Sequence, residues 1–107
     1  MTAEDFRASA LSVPGAIEST HMNHPDFRVN GKIFASLGYP DEGWGMVKLT
    51  PEQQRAFIDE ASEMFAPCAG AWGKSGATSI HLALVGQRIL GKALRAAAQN
   101  IVAPLKS

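Results

Sequence analysis

The chain has 107 residues, of which 46% are hydrophobic and 19% charged, a composition typical of a globular protein. A chain of this length buries enough surface to fold without a metal or a disulfide, so we predict a single domain over residues 1–107. No apolar run approaches the roughly 18 residues of a membrane span, and Glu4 and Asp5 stand where a secretory signal would be basic. These features argue against a membrane-spanning or secreted protein, and we expect a cytoplasmic one.

The charges are unevenly distributed along the chain, although they sum to zero. Residues 1–63 carry all ten acids and a net charge of minus five, whereas residues 64–107 carry five basic residues and no acid. Such polarity predicts a folded protein with an acidic face and a basic face. The zero total argues against nucleic-acid binding, and the basic second part argues for it.

The first half of the chain predicts one helix and a β-meander. Thr2 stands as a helix N-cap ahead of two acids, and Pro14 stops the apolar pattern that follows. Asn30 and Gly31 separate two β-rich runs, and this dipeptide favours the type I′ turn of a hairpin. The predicted elements are a helix over residues 2–13, a strand over 16–22 leading to a turn at 23–25, a hairpin over 26–37 and a strand over 44–49.

The second half predicts two longer helices around a late strand. Thr50, Pro51 and Gln53 form a helix-start signature with a capping box, and Pro67 ends that helix. The ring of Trp72, in a glycine-rich connector, is expected to be anchored in the core. The predicted elements are a helix over residues 50–65, a connector or short turn of helix over 68–76, a strand over 77–84 and an amphipathic helix over 86–104 that Pro104 stops. This order implies the α+β class, with an antiparallel β-sheet meander covered by helices.

Gly73, Lys74 and Ser75 match the end of the phosphate loop found in many nucleotide-binding proteins. The complete motif requires a glycine where Cys68 stands, so the match is partial. A phosphate loop also joins a strand to a helix, whereas here a helix precedes the stretch and a strand follows it. The pattern therefore predicts a tight connector and not a nucleotide site.

The histidines and the single cysteine do not predict a metal site. His21 and His24 lie three residues apart, which on a strand places them on opposite faces unless the chain turns, as Pro25 permits. His81 offers a third imidazole, but no zinc-protease spacing accompanies the pair. Cys68 is the only cysteine, so no internal disulfide can form, and we expect it to be a small buried hydrophobe. No metal and no cofactor are predicted.

The last predicted helix carries two opposite stripes. At 100° per residue, Arg88, Lys92 and Arg95 share one side, and leucine, alanine and isoleucine occupy the other. A helix that serves only solubility usually mixes charges of both signs, and this one has no acid. Lysines from other elements extend the positive surface, so the predicted phosphate-contacting face consists of Lys32, Lys48, Lys74, Arg88, Lys92 and Arg95.

Three other interpretations remain open. Lys32 and Lys48 are equally consistent with lysines that protect strands from aggregation. The acidic first part of one molecule and the basic last part of another would form a protein-interaction or self-association module. The third interpretation is a small-ligand pocket in which Trp72, His81 and Cys68 converge.

The segments "PGAIEST", "HPDFRVNGKIFASL", "VKLTPEQQ" and "GAWGKSGATSIHL", followed by a C-terminal helix, occur in the order and spacing of a known family. The chain resembles the MmcQ/YjbR family of small bacterial proteins over roughly residues 4–103. The resemblance implies a compact α+β fold, described as a double-wing arrangement in which hairpins flank helices, and it supplies no catalytic or metal-binding residues. Members are often labelled DNA-binding because this fold is likened to DNA-binding modules. We therefore expect a non-enzymatic DNA-binding or regulatory domain that contacts phosphates with little sequence specificity.

Overall fold

The computed structural model describes residues 1–38 and 41–102, which form four helices and a six-stranded sheet. The helices are α1 (Ala3–Leu11), α2 (Pro51–Glu60), α3 (Gly70–Lys74) and α4 (Gln87–Val102). The strands are β1 (Ile17–His21), β2 (His24–Val29), β3 (Lys32–Leu37), β4 (Trp44–Lys48), β5 (Phe65–Pro67) and β6 (Ala77–His81).

All neighbouring strands are antiparallel, in the order β1-β2-β3-β4-β6-β5, which confirms the predicted α+β fold with an antiparallel meander. Within the two described ranges, no helix combines the length and hydropathy needed to cross a membrane. The predicted helix stop at Pro104 and the charge of Lys106 fall outside the described residues.

Both predicted helix N-caps are confirmed. The Thr2 hydroxyl accepts a hydrogen bond from the Asp5 backbone N–H at 3.1 Å, and the Asp5 carboxylate accepts one from the Thr2 backbone N–H at 2.9 Å. The Thr2 backbone N–H first, and the Thr2 side chain second, stabilise the ionised Asp5 carboxylate and hold the pKa of Asp5 below its ordinary value. Thr50 and Gln53 form the same reciprocal pair at the start of α2.

The predicted hairpin between β2 and β3 is confirmed. Asn30 and Gly31 have φ angles of 52° and 77°, the left-handed values that a type I′ turn requires at both corners. Beyond the turn, Phe27 pairs with Ala35, but the next residue of β2 pairs with Ile33. The extra residue is Phe34, so this bulge places Phe34 in the core and turns Ile33 to the opposite face.

Helices α1 and α4 cover one face of the sheet and form the core with it. Helix α4 packs on β2, β3 and β4 through Leu90 and Leu94, which are fully buried. The ring of Phe6 from α1 lies 5.9 Å from the ring of Phe27, centroid to centroid. Gly45 of β4 passes so close that a Cβ there would lie 2.7 Å from a carbon of the Phe6 ring. Where Phe6 and α4 lie on it, this face of the sheet is therefore closely packed.

Helix α2 ends earlier than predicted. It stops at Glu60, and Phe65–Pro67 forms the edge strand β5, so the prediction of helix for residues 61–65 is wrong. In β5, Phe65 pairs with Ile80 of β6, and its ring lies 5.3 Å from that of Phe57. This pairing both satisfies the backbone hydrogen bonds of the segment and buries the Phe65 side chain. A long-range contact therefore overrides the local helical pattern.

The connector between β5 and β6 contains the short helix α3, as predicted. Trp72, however, is 37% exposed, so the expectation that its ring is anchored in the core is wrong. The Gly-Lys-Ser stretch ends this helix and leads into β6, without the strand-to-helix geometry of a phosphate loop. A Cβ at Gly73 would lie 1.7 Å from the carbonyl oxygen of Cys68, so the glycine allows two backbone segments to pass in contact.

Candidate ligand-binding site on the uncovered sheet face

The second face of the sheet is only partly covered, and we call it the open face. Strand alternation and register align Asp26, Ser36, Met46 and Ser79 in one row across β2, β3, β4 and β6, opposite the core. Helix α3 packs on β6 at one end of this row, where Met46 and Cys68 share a small apolar cluster. The β1–β3 side of the row lies outside that cluster.

A hollow of about 300 Å³ occupies this part of the open face. Two methionines, an isoleucine and an indole supply its apolar walls, which are Met22, Ile33, Met46 and Trp72. Imidazole, carboxylate, hydroxyl and ammonium groups supply its polar side, which consists of His21, His24, Asp26, Ser36 and Lys48. The hollow therefore joins residues from β1, β2, β3, β4 and α3 that are distant in sequence.

The most buried charge of the hollow is the Asp26 carboxylate, which is 1% exposed. Arg28 donates two hydrogen bonds to it, from Nε to Oδ1 at 2.9 Å and from a terminal nitrogen to Oδ2 at 3.1 Å. The two residues alternate on β2 and therefore point to the same face. The contact with Asp26 raises the pKa of the Arg28 guanidinium, because the hydrogen bonds favour its charged form. The buried carboxylate is thus paired with a guanidinium on its own strand.

The two histidines of the His-x-x-His pair face each other across the β1–β2 turn. The chain turns at Met22 and Asn23, with φ angles of 51° and 67°, so the predicted turn at 23–25 lies earlier and Pro25 belongs to β2. His21 and His24 become register partners, and both line the hollow. Among the described residues, no group of three or more His, Cys, Asp or Glu side chains is placed to hold a metal ion.

Only one of the three residues predicted to form a ligand pocket lines the hollow, namely Trp72. His81 instead stacks on Trp44, with ring centroids 4.6 Å apart. Cys68 is buried with its sulfur 3.3 Å from the Ser79 hydroxyl, and burial raises the pKa of its thiol. A raised pKa disfavours the thiolate, so this geometry does not activate Cys68 as a nucleophile.

The six predicted phosphate-contacting residues do not share one face. Arg88, Lys92 and Arg95 form an exposed stripe on the outer side of α4, opposite its buried leucines and alanines, as predicted. Lys48 lies on the open face, on the other side of the sheet from α4. Lys74 ends α3, beside that same open face, and Lys32 starts β3 next to the hairpin turn.

Carboxylates accompany one end of the α4 stripe. The Lys92 ammonium lies 4.0 Å from the Glu60 carboxylate, and Glu60 and Glu63 line one surface hollow with Arg88 and Lys92. On the other side, Arg88 and Arg95 border a groove between α1 and α4, whose lining also includes Ser9, Ser12 and Gln87. No carboxylate from the described part of the chain lines this α1–α4 groove.

The Asp26–Arg28 pair was not found from the sequence, although a signal was present. Aspartate is depleted in strands, so an Asp inside the β-rich run of residues 26–29 needs a partner. The basic residue two positions later is placed by strand alternation to provide it. The Asp-x-Arg spacing within a predicted strand would therefore have pointed to this pair.

Comparisons with known proteins agree with the fold. The crystal structure of Deinococcus radiodurans protein DR2400, described as a DUF419 domain, is similar with a TM-score of 0.77 and 18% sequence identity. The match covers 95% of this chain and 79% of that chain, and at this identity it shows a shared fold alone. No curated protein matches the sequence. A family model described as YjbR matches residues 11–99, and the chain therefore belongs to the YjbR family.

Proposed function

We propose that the protein binds a small organic ligand in the hollow of the open face. The observation that carries this proposal is the meeting, in one concave site, of apolar walls with a buried carboxylate that a guanidinium holds in place. Binding sites for small molecules typically combine mainly apolar walls with a few fixed polar groups. A volume of about 300 Å³ lies at the small end of such sites.

Exposed apolar surface at the hollow supports the proposal. Met22 is 79% exposed, and Trp72 contributes an indole that is more than one third exposed. When a ligand covers apolar side chains of this size, their removal from water makes the free energy of binding more favourable. Methionine side chains also adapt to the shape of an aromatic partner and contact it favourably through sulfur.

The polar groups of the hollow lie on paired strands and not on loops. Asp26 is fixed by Arg28, and Ser36 is held by the ladders on both sides of β3. Strand positions hold side chains more rigidly than loops do, so little ordering entropy is lost when a ligand binds. The hollow is therefore organised before any ligand arrives.

Methyl NMR with labelled methionine tests the proposal, because the four methionines divide evenly around the site. Met22 and Met46 line the hollow, whereas Met1 and Met64 pack elsewhere. With the neutral aromatic probes indole and 1-naphthamide at millimolar concentration, we expect the Met22 and Met46 methyl signals to shift. The Met1 and Met64 signals should stay in place and serve as internal controls.

A matched pair of substitutions completes this test. Ser36→Leu adds bulk inside the hollow and should abolish the shifts. Ser19 lies on β1, next to Asp26 in the same row but outside the hollow, so Ser19→Leu should preserve them. No shift at Met22 and Met46 in the unmodified protein, or equal shifts at all four methionines, would contradict the proposal.

A second candidate function is weak binding to the phosphates of nucleic acid. The observation that favours it is the α1–α4 groove, where Arg88 and Arg95 stand with serine hydroxyls and no described carboxylate. Guanidinium groups bind phosphates with paired hydrogen bonds, and such contacts carry no sequence information. Lys92 contributes less, because Glu60 lies beside it.

Fluorescence anisotropy with a labelled DNA duplex tests this second candidate. We expect measurable binding at low salt that weakens steadily as salt is raised, since phosphate contacts release counterions. The double substitution Arg88→Gln and Arg95→Gln should remove most of the binding. Arg55→Gln, at an exposed arginine of α2, should not. Absent binding at low salt, or equal binding by both variants, would exclude the groove as a nucleic-acid site.

A further inference from the structure

We propose that the ligand of the open-face hollow is a small aromatic carboxylate whose negative group pairs with Lys48. This inference rests on the proposed ligand-binding function and adds the charge of the ligand to it. Three features of the hollow carry it: the balance of charge, the position of Lys48, and the size and shape of the apolar walls.

The balance of charge in the hollow is positive when Arg28, the partner of Asp26, is counted with it. Asp26 is the one carboxylate among the described residues that line it, and Arg28 already holds both of its oxygens. Lys48 makes no ion pair with any carboxylate in the described ranges, so none of those carboxylates matches its charge. A cationic ligand would meet Lys48 and a carboxylate already occupied, whereas an anionic ligand would meet an available ammonium.

Lys48 lies at the edge of the apolar walls. It follows Met46 by two residues on β4, so both side chains point to the open face. A ligand whose ring lies in the hollow above Met46 therefore has its charged group within reach of a flexible lysine side chain. Lysine keeps its ammonium in water until a partner arrives, so pairing with a ligand requires no break of an existing contact.

The apolar walls favour a flat ring over a flexible chain. Trp72 offers an aromatic surface and Met22 offers an exposed thioether, and both groups interact favourably with aromatic rings. A volume of about 300 Å³ accommodates a ligand of one or two rings and excludes a dinucleotide or a peptide. An aromatic carboxylate therefore matches the hollow in both charge and shape.

Two probes of equal shape, 1-naphthoate and 1-naphthamide, test the inference in the methyl NMR titration. The first carries a negative charge and the second is neutral. We expect both to shift Met22 and Met46, with naphthoate binding about tenfold more tightly, because a charge-assisted hydrogen bond is roughly twice as strong as a neutral one. The preference should decrease as salt is raised.

Substitutions of lysine assign the preference to one side chain. Lys48→Gln should remove the preference for naphthoate while naphthamide still binds, and Lys48→Arg should retain it because the charge is conserved. Lys32→Gln removes an exposed lysine of the neighbouring strand that does not line the hollow, and should leave the preference unchanged. Lys48 is exposed, so these variants are expected to fold, and the Met1 and Met64 signals check this directly.

The outcomes separate this inference from the proposed function. Equal affinity for the two probes, or a preference that persists in Lys48→Gln, would overturn the carboxylate assignment and leave the ligand site standing. Failure of both probes to shift Met22 and Met46 would overturn the carboxylate assignment and the ligand site together.

Discussion

The guanidinium of Arg28 donates two hydrogen bonds to the buried carboxylate of Asp26, at 2.9 and 3.1 Å, from two residues further along the same strand. Within β2, the pair needs no other element to form, because alternate residues of a strand point to the same face. Its position is nevertheless set by the sheet, since the pairing of Asp26 with Ser36 places it beside the hollow. A local pair thereby supplies one member, Asp26, to the polar side of a site built from distant segments.

Removing Arg28 alone should destabilise the protein more than removing both charges. In Arg28→Gln, the Asp26 carboxylate stays buried without its partner, whereas the double variant Asp26→Asn and Arg28→Gln leaves neutral amides that can bond to each other. In urea unfolding, we expect the unmodified protein to be the most stable, the double variant to be intermediate and Arg28→Gln to be the least stable. If Arg28→Gln were as stable as the double variant, the two side chains would not be coupled in this way.

Gly73→Ala should be strongly destabilising, although the residue belongs to a sequence that resembles a phosphate loop. The added Cβ would lie 1.7 Å from the carbonyl oxygen of Cys68, and backbone must move to admit it. We expect a loss of about 3 kcal/mol in the free energy of unfolding, at the upper end for overpacking substitutions.

Gly86→Ala is the matched control for this effect, because a Cβ there would contact nothing within 4 Å. Its unfolding free energy should change by less than about 0.5 kcal/mol. Lys74→Gln should be equally neutral, since its side chain is exposed at the end of α3. If Lys74→Gln were destabilised and Gly73→Ala were neutral, the explanation that Gly73 is needed for the close backbone contact with Cys68 would be wrong.

The parts of the fold that could be predicted are those that short segments determine. Asn30 and Gly31 specify a hairpin by their own conformational preferences, and Thr50 caps its helix through a residue three positions later. The strand β5 could not be predicted, because Phe65 is drawn from a helical pattern by pairing with β6, fifteen residues away at Ile80.

The candidate site divides in the same way. The stripe of Arg88, Lys92 and Arg95 follows from helical periodicity alone and is present on α4. The hollow depends on strand register, on the bulge that turns Ile33 to the open face, and on the placement of α3, none of which is encoded within one segment. The partial exposure of Trp72 belongs to the same class, because whether an indole lies in the core or against a hollow is a tertiary property.

Cys68 should react slowly with thiol reagents in the folded protein. Burial raises the pKa of its thiol, so less thiolate is present at a given pH, and the sulfur is also shielded from the reagent. At pH 8 we expect 5,5′-dithiobis(2-nitrobenzoate) to modify Cys68 at least about tenfold more slowly in the native state than in urea. The native rate should increase as the pH is raised, because more thiolate forms. A native rate equal to that in urea would show that the thiol is accessible and not suppressed by burial.

Neighbouring residues on α4 should separate stability from nucleic-acid binding. Leu94 is fully buried against the sheet, and Leu94→Ala should lower the free energy of unfolding by about 3 kcal/mol through lost burial and a cavity. Arg95 is exposed beside the α1–α4 groove, and Arg95→Ala should change stability by less than about 0.5 kcal/mol. If the groove binds DNA, Arg95→Ala should lower the affinity at low salt, because it removes a phosphate contact. Leu94→Ala removes no such contact, so its affinity should be unchanged at temperatures where it stays folded. A loss of DNA affinity in Leu94→Ala that equals the loss in Arg95→Ala would place the effect in the fold and remove Arg95 from the candidate interface.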